Sequence, residues 1–259
     1  MKEQEQKSHP GTGRRGAAAG RAGPLLLPLL ILLAAPRCGA AEVQLAVSEV
    51  SINPGLLWIM ATETVGTEYA APGPVLTTLG ASLPLRIWDP FFVEPMLDFW
   101  MTTYEYTASR AVPTEYETNK GFLVLAALLS LQAGARWTVA ERMEAQPDGS
   151  SKLMERLELG GALGFDFLFR LPLDYNGGTA TTAERTAGAA SAVSYFYGAG
   201  RFFYPETRFF ASWRLSPGFG VNFNVRALWP LFHAWDGEGL PFYDQMQIAG
   251  NLGFTIYVR

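Results

Sequence analysis

Few side chains in this sequence are equipped for chemistry. His233 stands near Trp235, Asp236 and Glu238. An imidazole beside carboxylates can act as a general base. The competing role is a rim residue in an interfacial belt, and no serine in a recognisable nucleophile setting accompanies the histidine. Asp236, Glu238 and Asp244 offer oxygen ligands on a Gly-containing stretch, the ligand chemistry of Ca²⁺. Their spacing matches no EF-hand loop, and they read as a solvated acidic loop. P-loop and dinucleotide fingerprints are absent. Cys38 is the single cysteine. Cleavage at Ala40 or Ala41 would leave no thiolate, disulfide or Cys-ligated metal. The sequence therefore assigns no catalytic residue, no metal and no cofactor.

The remaining charges are informative through their spacing. Arg86, Asp98, Arg136, Arg156, Glu158, Asp166, Arg170, Arg208, Arg214 and Arg226 each fall opposite an apolar set at period two. Between Leu153 and Leu173, Leu157, Leu159, Leu163, Phe165, Phe167, Phe169 and Leu171 take one side. Arg156, Glu158, Asp166 and Arg170 take the other. A helix would scatter these charges; a strand puts them on one face. After Pro217, Phe219, Val221, Phe223, Val225, Ala227 and Trp229 alternate with Asn222, Asn224 and Arg226. From Met246, Ile248, Leu252, Phe254 and Ile256 alternate with Gln247, Asn251, Thr255 and Tyr257. Weaker alternation covers Leu79–Ile87, Leu97–Thr102, Gly121–Val139 and Arg208–Leu215. A first strand near Gly55–Thr62 has ambiguous facing. Glu155 departs from the pattern, at a strand end.

The elements that satisfy this pattern are the strands of a transmembrane wall. Lipid touches one face of each strand, and packed polar groups touch the other. Arginine on the lipid face near mid-depth costs roughly 2–4 kcal/mol. The expectation is all-β: an eight-stranded antiparallel up-and-down transmembrane β-barrel. Leu159, Leu163, Phe165, Phe167, Phe169, Val221, Phe223, Val225, Leu252, Phe254 and Ile256 face lipid. The charged set above forms an interior network, in which arginines outnumber acids. Trp88, Trp100, Trp137, Trp213, Trp229, Trp235 and Tyr257 lie near strand ends, where aromatic girdles anchor a barrel. Short turns are expected at Asp89–Glu94, Gln146–Ser150 and Ser216–Gly218, and long connections at 63–75, 107–120, 174–206 and 233–244. The last but one is rich in Ala and Gly and suits a short helix around 184–200, as a plug, an external binding element or an ordered loop packed over the rim.

Composition agrees with export to a membrane. Residues 1–41 carry a basic start, a leucine-rich run from Pro24 to Ala35 and then small residues, the pattern of a secretory signal peptide. The run is shorter than the roughly 20 residues a spanning helix needs. Arg14-Arg15 and Cys38 raise the twin-arginine and lipoprotein alternatives, without the flanking residues either wants. This segment holds six of the 20 Lys and Arg and two of the 24 Asp and Glu, leaving 14 basic against 22 acidic groups in 42–259. That balance argues against nucleic acid as a partner.

The C-terminal third resembles small outer-membrane barrels of spirochaetes, the treponeme type in particular. The residues behind the likeness are Gly200-Arg201-Phe202-Phe203-Tyr204-Pro205, the run Arg226–Phe232, and Trp235–Asp244. Many outer-membrane barrels end on an aromatic residue that the barrel-assembly machinery reads; here the last residues are Tyr257-Val258-Arg259. The resemblance implies a surface-exposed barrel in the bacterial outer membrane and no established chemistry. Its expected partners are outer-membrane lipid, the assembly machinery and an extracellular ligand reached through the loops. Two alternatives stay open. One is a narrow channel or carrier for small or hydrophobic solutes, anion-favouring given the arginine excess. The other is a soluble periplasmic lipocalin-like barrel with its apolar face inward.

Overall fold

The computed structural model describes residues 46–47, 49–60, 75–106, 111–114, 121–146, 151–173, 181–237 and 239–257. The expected signal peptide and much of the long connections at 63–75 and 107–120 lie outside them.

Eight strands form the wall: β1 (Glu49–Ile59), β2 (Val75–Ser82, continued by Leu85–Trp88), β3 (Phe91–Tyr106), β4 (Gly121–Ala145), β5 (Ser151–Leu173), β6 (Phe203–Ser216), β7 (Phe219–Leu228) and β8 (Gln247–Tyr257). Each pairs antiparallel with the next, and β8 pairs back onto β1 from Gln247↔Ile59 to Tyr257↔Glu49. The ring is therefore closed, which removes the edges an open sheet would leave unpaired. Turns at Asp89-Pro90 and Pro217-Gly218 share one rim, the turn end, with the start of β1 and the finish of β8. The opposite rim is the loop end.

Side-chain facing follows the period of the strand. On β5, Phe165 is 54% exposed and its neighbour Asp166 is 0% exposed. All eleven expected lipid-facing residues lie on the outer surface: Leu159, Leu163, Phe165, Phe167, Phe169, Phe223, Val225, Leu252, Phe254 and Ile256 are exposed, and Val221 is half-exposed. An apolar-inward, lipocalin-like barrel is contradicted by this facing. β1 begins earlier than the sequence suggested, at Glu49. Ser51, Asn53, Leu57 and Ile59 face in, and Val50, Ile52, Leu56 and Trp58 face out. β3 also starts earlier, at Phe91, because the Asp89-Pro90 turn before it is tighter than its polar residues implied, and β6 starts at Phe203, directly after the turn that ends the helical connection.

β4 and β5 outrun the barrel. β4 pairs with β3 only as far as Ala135, and β6 pairs with β5 only from Arg156 onward. The remainder forms a two-stranded ribbon projecting from the turn end. Its outward face turns from apolar to charged: Trp137 and Leu159 give way to Arg142 and Glu155, which pair at 3.7 Å, and to Glu144 opposite Lys152. Glu155 thus lies beyond the apolar belt, which explains its departure from the alternation.

The connection between β5 and β6 contains a helix, α1 (Thr182–Tyr197). It ends through the turn Gly198–Gly200, where Gly200 at φ +78° reverses the chain toward β6, a backbone state glycine adopts without strain. α1 packs Ala192, Tyr195 and Phe196 against Tyr104, Phe122 and Val124. Those three are inward-facing residues of β3 and β4, so the helix seats in the mouth of the barrel.

Candidate functional site

Inward-facing side chains stack in three tiers. Near the turn end, Arg136 Nη1 donates to Glu49 Oε1 at 2.5 Å and lies 3.7 Å from Glu158. Ser51 and Thr255 hydroxyls meet at 2.8 Å, and Asn222 Nδ2 donates to Thr255 at 3.0 Å. A cavity of about 20 Å³ lies among Glu49, Glu94, Arg136, Arg208 and Asn222, room for a single water.

The middle tier is ionic. Arg226, among the largest fully buried side chains, bonds Asp98 through Nη1. Its Nε donates to Glu206 Oε1 at 2.5 Å, and Nη2 reaches Ser130 at 2.7 Å, Glu206 Oε2 at 3.1 Å and Asp166 at 3.5 Å. Arg208 donates to Glu94 at 2.7 Å, to Gln132 Oε1 at 3.0 Å and to Asn224 Oδ1 through two nitrogens at 2.9 and 2.6 Å. Gln132 Nε2 bridges both Glu206 oxygens at 2.9 Å. These bonds tie β3, β4, β5, β6 and β7 across the lumen. Each donor satisfies an acceptor that would otherwise be buried without water.

The loop-end tier is apolar. Leu57, Ile59, Trp100, Ala126, Leu128, Leu168, Leu228 and Ala249 close around Phe232 from the short 3₁₀ turn Leu231–Ala234. α1 covers the adjoining side of the mouth. Two arginines lock the cap at the helix's C-terminal end, where carbonyls lack intrahelical partners. Arg170 Nη2 donates to the carbonyls of Phe196 at 2.9 Å and Arg201 at 2.6 Å, its guanidinium 4.4 Å from the Phe196 ring centre. Arg201 Nη1 reaches the Gly198 carbonyl at 3.3 Å, and its guanidinium lies over Tyr195 at 4.2 Å. Replacing Arg170 with alanine is therefore expected to release α1 while leaving the wall intact. Hydrogen exchange at 182–200 should rise at least tenfold, with the strands unchanged.

The ten residues expected to form one interior network divide by height. Asp98, Asp166, Arg208 and Arg226 share the middle tier, and Arg136, Glu158 and Arg156 form the turn-end cluster, where Arg156 also pairs with Glu141 at 3.1 Å. Arg170 belongs to the cap. Arg86 is a correction: its half-exposed side chain pairs with Asp89 at the turn, 3.4 Å away. Arg214 is a second: it donates to the carbonyls of Ser216 and Pro217 and stacks on Tyr257 at 4.0 Å, at the rim. Glu49, Glu94 and Glu206 were missed, and they reverse the expected arginine excess. Around Arg208 and Arg226 stand Glu94, Asp98, Asp166 and Glu206, four acids to two bases.

The aromatic set divides too. Trp88, Trp137 and Trp213 are exposed on the outer face toward the turn end. Trp100 is 4% exposed and belongs to the interior, and Tyr257 lies on the inner face under Arg214, so neither joins a girdle. Trp229 is half-buried past the end of β7, with Nε1 donating to Thr207 at 3.2 Å. Trp235 is exposed on the loop and bonds the Ala199 carbonyl at 2.7 Å. His233 is not a rim residue. Its side chain is 1% exposed, with Nδ1 2.8 Å from Asp236 and Nε2 2.8 Å from the Asp244 carbonyl. Asp236 also lies 3.8 Å from Arg201, so these carboxylates serve the cap. Glu238 is outside the described residues. Among the described residues no group of three or more His, Cys, Asp or Glu is placed to hold a metal.

No family model matches the sequence, and no curated relative does. Solved structures do match. The N-terminal β-barrel domain of Pseudomonas aeruginosa OprF is 9% identical, over 82% of this chain and 98% of that one, with a TM-score of 0.34. Neisserial surface protein A is 11% identical, over 83% and 98%, with a TM-score of 0.39. Ail, the attachment invasion locus protein of Yersinia pestis, is 11% identical, over 82% and 99%, with a TM-score of 0.29. From its own strand register, this chain is a closed eight-stranded antiparallel β-barrel with a filled lumen and a helical cap.

Proposed function

We propose that this protein is a bacterial outer-membrane barrel of the spirochaete-like kind, closed to solutes, that acts as a structural and surface-interaction protein through its loop end. The observation that carries the reading is the split between the two faces of the wall. Phe165, Phe167, Phe169, Phe223 and Phe254 stand exposed outside while Asp98, Asp166, Glu206 and Arg226 are buried inside. Water would penalise such an outer belt, and a bilayer rewards it. β1, β7 and β8 are 11, 10 and 11 residues long, the length of a tilted strand crossing a hydrocarbon core, about 9–11. The turn end then faces the periplasm, with insertion by the assembly machinery, and α1 with the 231–246 loop faces outward as the surface for an extracellular ligand. The reading assigns no catalytic residue and needs no cofactor.

The test is fractionation and gel mobility. The protein should remain with membranes after carbonate extraction, migrate differently with and without boiling, and give no conductance steps in planar bilayers. Free solubility without detergent would contradict it. A second reading, a carrier for hydrophobic solutes, draws on the apolar loop-end tier and requires the cap to move. Binding of an apolar fluorophore to the Arg170→Ala variant, and not to wild type, would favour it.

A further inference from the structure

The middle tier is short of positive charge. Asp98, Asp166 and Glu206 all lie against the guanidinium of Arg226, and Asp166 and Glu206 share its Nη2. The neighbouring Arg208 is matched by Glu94. Asp166 is 0% exposed. Its Oδ2 has no hydrogen-bond donor among the described residues, and neither does Asp98 Oδ1. Other groups near Asp166 come from every strand packed against it: Ser130 and Gln132 on β4, Tyr204 and Glu206 on β6, Arg226 on β7 and Asp98 on β3. Only Arg226 among them is positive; Arg208, paired with Glu94, also acts on Glu206. A dry site penalises each unbalanced charge, because burying an unpaired carboxylate costs far more than its neighbours' hydrogen bonds return.

We propose that the Asp166–Glu206 pair is a site for one monovalent cation, a proton or an alkali ion, taken up when the barrel closes. The ligand is defined by what the site offers: a carboxylate oxygen without a donor among the described residues, beside a second carboxylate, both shut away from solvent. One cation cuts the excess around Arg226 from two negative charges to one and removes the repulsion between Asp166 and Glu206, which share its Nη2.

Unfolding in urea from detergent micelles tests this, for the wild type and Asp166→Asn. The amide keeps the shape and removes the charge. Ordinary carboxylates do not titrate between about pH 6 and 9, and histidines do near its lower end, so the difference between the two proteins is the quantity that decides. If the cation is a proton, the folded state holds it and the unfolded state does not. Stability is then present at the acid end and lost as pH rises through the site's folded-state titration. The wild-type unfolding constant rises by up to about tenfold per pH unit, and Asp166→Asn loses that slope. If the cation is an alkali ion, the wild type is stabilised by sodium replacing choline at fixed ionic strength, again lost in Asp166→Asn. Glu206→Gln removes the same pair from the other side should the first variant fail to fold. A wild type indifferent to both pH and sodium, or a dependence that the variants leave unchanged, would overturn the proposal.

Discussion

Methionine in place of Arg226 is expected to destabilise the barrel by about 3–5 kcal/mol, the range for breaking a buried ion pair from one side. Arg226 is 1% exposed and, among the described residues, is the group that contacts Asp98, Ser130, Asp166 and Glu206 together. Methionine fills most of its volume, so the loss comes from three carboxylates left without their cation, not from a cavity. Denaturant midpoints in micelles measure it. Adding Asp98→Asn, Asp166→Asn and Glu206→Gln to the same chain should recover most of the loss, because charge and counter-charge are then removed together. A single-variant loss below about 1 kcal/mol, the size of an ordinary hydrogen bond, would show that the interior is wet and the ions are solvated.

Arginine at Phe165 should cost about 2–4 kcal/mol in a bilayer, and arginine at Leu157, near the turn-end rim of the wall, about 0–1. Both positions lie on the outer face, and Phe165, paired with Leu131 and Pro205, lies midway along the outward apolar run from Leu157 to Leu171. The contrast matters more than either value. In water an outward arginine is nearly free at both places, so equal small effects would remove the lipid from the account. Reversible unfolding from lipid vesicles gives the two numbers.

Much of this was legible because a wall with lipid outside and packed charge inside leaves a strict two-residue period. β5, β7 and β8 read cleanly, since every second side chain is aliphatic or aromatic apart from Glu155, Gly161 and Gly250. β1 read poorly: Asn53-Pro54-Gly55 resembles a turn, yet it runs through the strand, with Asn53 donating to Ser82 at 3.2 Å inside. Glu94 and Glu206 were hidden for a related reason. Both sit close after polar or proline-containing stretches that look like turns, and local composition does not show that the strand has already begun. Trp100 and Tyr257 were misplaced by proximity to strand ends, although parity with Asp98 and Thr255 puts both inside; facing is fixed by register and overrides position along the strand. The cap was beyond local reading. The Ala- and Gly-rich stretch suggested a helix, but its docking depends on Arg170 and Arg201, which sit outside the helix and act on its end through the fold.

The central claim is that lipid meets one face of the wall and protein meets the other. Nitroxide labels at single cysteines from 163 to 171, in a chain with Cys38→Ser and reconstituted in vesicles, test it directly. Oxygen accessibility should be high at 163, 165, 167 and 169 and low at 164, 166 and 168, with a water-soluble nickel reagent excluded from the first set. Uniform accessibility, or nickel collisions at Phe165 and Phe167, would contradict the membrane barrel.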